Sequence, residues 1–156
     1  MRIIKASLSA VACAAMLAAS VTASAVEPED AIHYRQSALG VMGWHFGPMA
    51  DMAKGDIEYD ADAFARHAQN VGDIARMPWE GFVEGSYQDD GHGVETDALA
   101  KIADNPDDFE KKQKALIDEA QTLAEVAQEG DFKMARAQLS KVGKTCKSCH
   151  DDYRAE

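Results

Sequence analysis

The chain has 156 residues, with 16 basic and 27 acidic side chains and a formal net charge of −11. This length suits one domain with a single hydrophobic core. The acidic balance argues against nucleic acid and anionic membranes as partners, because like charges repel, but it is compatible with a basic partner protein.

Residues 1–25 have the pattern of a secretory signal peptide. Arg2 and Lys5 form a positive amino-terminal region, a mostly apolar stretch follows, and Ala-Ser-Ala at residues 23–25 fits a small-residue cleavage site. Because these two basic residues are lost with the leader while all 27 acidic residues remain, the mature chain has a net charge of −13.

The leader predicts the location of the protein. Cys13 lies in its apolar stretch behind a poor lipoprotein signal, so we interpret this cysteine as ordinary leader content. No other apolar run is long enough to cross a bilayer. We therefore predict a periplasmic protein, soluble after cleavage near Ala25, with one domain over residues 26–156.

A first helix is predicted from Pro28, because proline suits the first helical position and acidic residues favour the first turn. Gly47 and Pro48 predict a kink or an early end. Residues spaced by threes and fours form one stripe along this helix: Ile32, Arg35, Leu39, Met42, Phe46 and Met49.

Arg35 is the anomaly in that stripe. A guanidinium on an apolar face requires an anion, which a bound ligand could provide. Alternatively, Arg35 lies at the edge of the stripe and extends its charged end into water.

A second helix is predicted to begin after Asp60, as its cap, and to end before Pro78, with Phe64, Ala68, Val71 and Ala75 on its apolar face. Residues 78–96 are rich in glycine and acids and have no sustained periodicity. Such a long connection is expected to pack across another element or to have a function. A short helix is predicted over residues 97–103.

Two more helices follow. Asn105 as cap and Pro106 at the first position predict the start of the third, and Gly130 predicts its end. Asp131 is the predicted cap of the fourth. The apolar positions of the third are Phe109, Leu116, Ala120, Leu123 and Ala127, and those of the fourth are Phe132, Ala135, Leu139, Val142, Cys146, Cys149 and Tyr153.

The last helix contains Cys146-Lys147-Ser148-Cys149-His150, which is the C-x-x-C-H attachment signature of a c-type haem. Spacings of three and four place both thiols and the imidazole on one flank of a helix, as thioether formation and iron ligation by His150 require. A thioredoxin-like pair needs a βαβ context, and a structural zinc site needs four ligands. We therefore predict one covalently bound haem c, attached through both cysteines.

Four amphipathic helices without a convincing strand predict an all-α domain, most simply an antiparallel up-and-down four-helix bundle with haem c in its core. This arrangement resembles cytochrome c′, a class II c-type cytochrome. The segments that resemble this family are residues 28–31, 34–39 (Tyr-Arg-Gln-Ser-Ala-Leu), 77–79 (Met-Pro-Trp), Phe109 and 146–154.

The resemblance implies further roles. Leu39 would be the apolar residue above a five-coordinate iron, while Arg35 and Gln36 would contact the haem periphery. Glu95 and Thr96 resemble a haem-contacting pair, although the tryptophan that often follows in the family is absent. Arg154 resembles the basic residue beside the proximal histidine, and a cation near a helix C-terminus is also favourable by itself. The resemblance also implies a homodimer through the first two helices.

The function depends on the sixth position of the iron, because a methionine or histidine there makes an electron carrier and an open position admits gases. The upstream candidates are Met42, Met49, Met52, His33, His45, His67 and His92. A haem propionate could be the anion that Arg35 requires, and Leu39 would then lie over the ring. We then expect a protein that binds nitric oxide and carbon monoxide, handles nitric oxide and can transfer one electron.

Two alternatives stay open. The first is a low-spin electron carrier to a periplasmic or membrane reductase, which would have a redox partner protein. The second is a weak haem peroxidase, which is disfavoured because no polar acid–base pair can be assigned to the distal side. The sequence thus predicts a non-enzymatic haem protein.

Overall fold

The computed structural model describes residues 26–156, and the predicted leader, with Cys13 and the cleavage site, lies outside the described residues. Most of the described chain is in four long helices: α1 (Pro28–Lys54), α2 (Ala61–Ile74), α4 (Pro106–Gln128) and α5 (Phe132–Tyr153). A single turn, α3, spans Lys101–Asp104, and a 3-10 helix spans Pro78–Gly81. None of these helices is long and apolar enough to cross a membrane.

The long helices form a four-helix bundle, which confirms the predicted fold class. Helix α2 packs against α1 and α4, and α4 packs against α5, whereas α1 and α5 touch at few positions. Short loops join α1 to α2 and α4 to α5, so the helices of each pair run antiparallel. The space between α1 and α5 is therefore available for a ligand.

The buried faces of the helices follow the predicted stripes, although Phe132, Cys146 and Cys149 of α5 are only partly buried. Two members of the α1 stripe are exceptions, because Leu39 is 37% exposed and Phe46 is only partly buried. Both line the cavity described below, which explains why neither is covered by protein atoms. The predicted positions that are fully covered include Ile32, Met49, Phe64, Ala68, Val71, Ala120, Leu123 and Ala135.

Most predicted helix ends are confirmed. The side chains of Asp60 and Asp131 accept hydrogen bonds from the backbone N–H groups of Ala63 and Met134, at 2.9 and 3.0 Å. Gly130 has a φ of 74° after the end of α4, a conformation that glycine adopts without strain. The Asn105 side chain does not cap α4, because its amide donates instead to the Lys101 carbonyl.

Of the kink or early end predicted for α1 at Gly47 and Pro48, the early end is wrong, and the kink stays a prediction. Proline removes one backbone hydrogen bond inside a helix, but α1 continues to Lys54. Met49 and Met52, which follow the proline, are buried in the bundle core. Burial of these side chains stabilises the last two turns despite the missing bond.

The short helix predicted over residues 97–103 is displaced, since α3 begins only at Lys101. The backbone of residues 97–99 is bonded to the end of α5 instead. Leu99 donates to the Tyr153 carbonyl at 3.0 Å, and Ala155 donates to the Asp97 carbonyl at 2.8 Å. These bonds hold the segment extended, so its helical propensity is overridden by pairing with a distant part of the chain.

The connection after Pro78 packs across α1, as expected for so long a loop. Gly81 lies against α1 so closely that an added Cβ would be 2.5 Å from the Ala31 carbonyl oxygen and 2.8 Å from the Arg35 Cβ. Only glycine permits this approach, because the obstructing atoms belong to helix backbone and to a buried side chain.

We expect Gly81→Ala to lower the free energy of unfolding by about 1–3 kcal/mol, as overpacking of a close contact usually does. Denaturant unfolding of the holoprotein measures this change. Gly47→Ala is the matched control, since nothing lies within 4 Å of its added Cβ and alanine favours a helix. Equal stability of the two variants would contradict the proposed close contact.

Candidate functional site

A cavity of ≈780 Å³ lies between α1 and α5 and has mainly apolar walls. Its volume is in the range of cofactor sites, which hold roughly 300–1,000 Å³. All four long helices contribute to it, as do α3 and the connection after Pro78. The lining residues include Leu39, Met42, Phe46, Val71, Trp79, Phe82, Ile102, Phe109, Leu116, Val142, Cys146, Cys149, His150 and Tyr153.

The C-x-x-C-H residues enter this cavity from one flank of α5, since Cys146, Cys149 and His150 all line it. Burial raises the pKa of the Cys146 thiol, and it raises the pKa of Cys149 to about 11. Both thiols are therefore uncharged at neutral pH. Redox-active C-x-x-C pairs instead have a cysteine with a lowered pKa, so this environment does not favour a thiolate redox pair.

His150 is in the state that a metal requires. Desolvation lowers the pKa of its imidazole, and the positive charge of Arg154 lowers it further. The neutral imidazole is the form that ligates metals. A nearby cation thus helps to keep this side chain available as a ligand.

Arg35 is only 2% exposed, so the interpretation that it reaches water is wrong. Its Nη1 donates to the Gly81 carbonyl at 2.6 Å and to Ser86 Oγ at 2.7 Å. Its Nη2 donates to the Ser86 carbonyl and to Thr96 Oγ1. The guanidinium also lies 4.7 Å from the centre of the Phe82 ring.

These partners of Arg35 were not predicted from the sequence. All four terminal N–H groups have acceptors in the loop, so the side chain fastens residues 81–96 to α1. None of the acceptors is charged, and no ion pair in residues 26–156 includes Arg35. Burial lowers its pKa. A buried cation at the cavity wall therefore has no protein anion beside it.

The neighbouring predicted residues are placed differently from one another. Gln36 and Thr96 line the cavity. Glu95 is exposed and is not among the residues of its wall, although its carbonyl accepts a hydrogen bond from Gln36 Nε2 at 2.9 Å. Direct contact of Glu95 with a cofactor stays a prediction.

Leu39 and Met42 lie one turn apart on α1, and both line the cavity. Met42 is the one candidate for a sixth ligand that does so. Met49 and Met52 are in the bundle core, and His92 is bonded to the Tyr87 carbonyl. His33, His45 and His67 are likewise absent from the cavity wall.

Arg154 follows α5 directly, and its backbone N–H donates to the His150 carbonyl. Its guanidinium forms an exposed ion pair with Asp97, at 3.0 Å from Nη2 to the carboxylate. Because Arg154 also lines the cavity, it can act both as a favourable cation at a helix end and as a neighbour of a bound group.

Aromatic side chains from four segments form one wall of the cavity. Phe109 and Tyr153 belong to predicted apolar stripes, whereas periodicity did not predict Trp79 and Phe82 as members of this wall. Phe82 lies 4.9 Å from Phe109 between ring centres, Trp79 lies 5.9 Å from Phe109, and Tyr153 meets Phe109 edge to face at 5.4 Å. The Tyr153 hydroxyl donates to Asp108 at 2.8 Å. The aromatic residues within the glycine-rich stretch over residues 78–96 were the sequence signal that could have indicated this wall.

Comparison with known proteins identifies relatives over the whole described domain. The family model described as Cytochrome C′ matches residues 30–154. A cytochrome c′ from Halomonas halodenitrificans is 60% identical over 131 residues, which are 83% of this chain and 99% of the relative. Another cytochrome c′, from Alcaligenes xylosoxydans, is 38% identical over 129 residues, which are 82% of this chain and 95% of the relative.

Solved structures agree with this result. Cytochrome c prime from Shewanella frigidimarina superposes with a TM-score of 0.78 at 40% identity, over 83% of this chain and 98% of that chain. A nitric oxide complex of a leucine-to-alanine mutant of the Alcaligenes xylosoxidans protein has a TM-score of 0.74 at 35% identity. The match covers 85% of this chain and 98% of that chain.

Proposed function

The chain belongs to the cytochrome c′ family, whose cofactor is haem c, and on this premise we propose that it is a periplasmic haem protein that binds nitric oxide and carbon monoxide. The observation that supports this best is the cavity itself. Leu39 lines it from α1 while His150 lines it from α5, so a cofactor between them would have an apolar residue on one face and a ligand on the other.

The residues present fit haem c. The cavity offers apolar walls for a porphyrin, and the two thiols of Cys146 and Cys149 are on the correct flank of α5. Arg35 supplies positive charge without a protein anion, which suits a propionate. Because its terminal nitrogens are occupied by loop acceptors, Arg35 would act on the propionate through its charge and its remaining Nε–H.

Haem iron held by one histidine supplies an open position at which a diatomic gas can bind. In this chain His150 would ligate, Leu39 would restrict the opposite face by its bulk, and Arg154 would keep His150 neutral. The nitric oxide complex of the Alcaligenes xylosoxidans relative supports gas binding here. We propose nitric oxide handling as the role, with one-electron transfer as a further capacity.

Electron transfer by a low-spin haem is the second candidate, and Met42 favours it. Met42 lines the cavity one turn from Leu39 and has the thioether of a possible sixth ligand. Absorption spectra of ferric and ferrous holoprotein, with and without carbon monoxide, separate the two functions. A high-spin ferrous spectrum that changes with carbon monoxide supports gas binding.

We do not assign an enzymatic reaction. Arg35 and Gln36 of α1 line the cavity with side chains that are hydrogen-bonded to the loop. The other residues of α1 that face the cavity are Leu39, Met42, Gly43 and Phe46, and none of these four can exchange protons with a bound peroxide. A peroxidase would need such a group. Absence of turnover with peroxide and an electron donor is the expected result.

Haem attachment can be tested directly. Because each thioether comes from one cysteine, denatured protein should keep its haem through acid–acetone extraction. In the double variant Cys146→Ser and Cys149→Ser the haem should be absent or extractable. Release of the wild-type haem into the organic layer would contradict covalent attachment.

We also propose a homodimer through α1 and α2, as the resemblance to the family implies. Two apolar residues of α1 support this proposal, because Val41 is 47% exposed and Trp44 is 75% exposed. A molar mass of two chains in solution, reduced by Trp44→Glu, is the expected result.

A further inference from the structure

Two histidines meet outside the haem cavity, across the contact between α1 and α2. The Nδ1 atoms of His45 and His67 are 3.0 Å apart, and the ring centres are 5.3 Å apart with an angle of 50° between the planes. Both side chains are partly buried, and neither lines the cavity. The proposed function does not use this pair.

The pair is held by packing rather than by sequence proximity, because its members are 22 residues apart on different helices. Helices α1 and α2 pack against each other, so the two rings are brought together before any ligand arrives. A preorganised pair of donors binds more tightly than a flexible one, since less conformational entropy is lost.

The surroundings of His67 also disfavour a charged imidazole. Burial lowers the pKa of His67, and the nearby His45 and Arg66 lower it further. At 3.0 Å one Nδ1 must carry a hydrogen and the other must accept it. With the Nδ1 atoms 3.0 Å apart and the ring centres 5.3 Å apart, the two nitrogens face each other almost directly. Moving that hydrogen to Nε2 of the same ring frees both Nδ1 lone pairs without any change in charge, and a rotation of the two rings then directs both lone pairs at one ion.

We propose that His45 and His67 form a bidentate site for a divalent transition-metal ion, of which copper(II) or nickel(II) fits best. With metal–nitrogen bonds of about 2.0–2.1 Å, nitrogens 3.0 Å apart subtend an angle of roughly 95° at the metal. Such an angle matches neighbouring positions of the tetragonal geometry of these ions better than the tetrahedral angle that zinc prefers.

The other coordination positions would be taken by water. Within residues 26–156 no third histidine, cysteine, aspartate or glutamate is grouped with the pair as a ligand. Arg66 contributes positive charge near His67, which opposes cation binding. We therefore expect a site that depends strictly on both imidazoles, with neither ligand replaceable by a neighbouring side chain.

Calorimetric titration of the haem-loaded protein with copper(II) tests the site, because in that form both cysteines of the attachment motif are consumed and cannot bind copper. We expect one ion per chain, and binding weakened by at least about 10–100-fold in either His45→Gln or His67→Gln, the loss typical even of second-shell changes. His33→Gln is the matched control, since His33 is an exposed histidine of α1, and it should bind as wild type.

The copper(II) electron paramagnetic resonance spectrum of wild-type protein should show coupling to two equivalent ring nitrogens. This readout does not depend on whether a variant folds. Coupling to one nitrogen or none, affinity unchanged in both variants, or an equal loss in His33→Gln would overturn the proposal.

Discussion

Carbon monoxide is expected to bind the ferrous Leu39→Ala holoprotein about 10–100 times faster than wild type. The Leu39 side chain lines the cavity from α1 and can only obstruct a ligand sterically, since it neither ligates iron nor forms hydrogen bonds. A haem in the cavity would cover this side chain, and displacing a buried leucine costs about 1.5–3 kcal/mol. Removing that cost from the barrier accelerates binding by the stated factor. Stopped-flow mixing of ferrous protein with carbon monoxide measures the rate.

Met42→Leu is the matched control for this experiment. Met42 lies one turn from Leu39 in the same wall, and leucine keeps its volume while removing the thioether. If the distal position is apolar, this variant should keep the wild-type spectrum and rate. A low-spin ferrous spectrum that is lost in Met42→Leu and unaffected by Leu39→Ala would instead establish the electron carrier.

The second large effect is expected for Arg35→Ala, which should lower the free energy of unfolding by about 2–5 kcal/mol. The substitution leaves acceptors at Gly81, Ser86 and Thr96 without their donor, and breaking a buried charged network costs this much. The loop over residues 81–96 also loses its attachment to α1. Denaturant unfolding of the holoprotein gives the value.

Arg35→Lys separates the two effects of this residue. Lysine keeps the positive charge but lacks the planar fork that reaches several acceptors at once. We expect Arg35→Lys to lose most of the stability and to keep the reduction potential near that of wild type, whereas Arg35→Ala lowers the potential by removing a cation. The exposed Arg136→Ala should change neither quantity. An unchanged potential in Arg35→Ala would exclude an electrostatic contact with the haem.

The sequence alone was sufficient for the helices and their faces. The stripes of α2 and α4 and most of that of α5 are buried as predicted, and Asp60 and Asp131 cap their helices. These features depend on the 3.6-residue period and on hydrogen bonds within a few residues, which are properties of local sequence. The C-x-x-C-H motif was recognisable for the same reason, because its three side chains are within one turn.

At positions where local preference competes with distant contacts, the tertiary structure decided the conformation. Burial of Met49 and Met52 carries α1 past Pro48, and bonds to the end of α5 keep residues 97–99 out of a helix. No local pattern contains this information.

The same distinction applies to the site. The sequence identified Arg35 as a residue in need of a partner, but its acceptors Gly81 and Ser86 are 46 and 51 residues away. The sequence offered seven candidates for the sixth ligand. The fold decides among them, because Met42 is the one candidate that lines the cavity. The 3.0 Å pair of His45 and His67 likewise exists only once α1 and α2 have packed. Contacts across elements depend on how helices are placed in space, whereas periodicity determines only which face each helix buries.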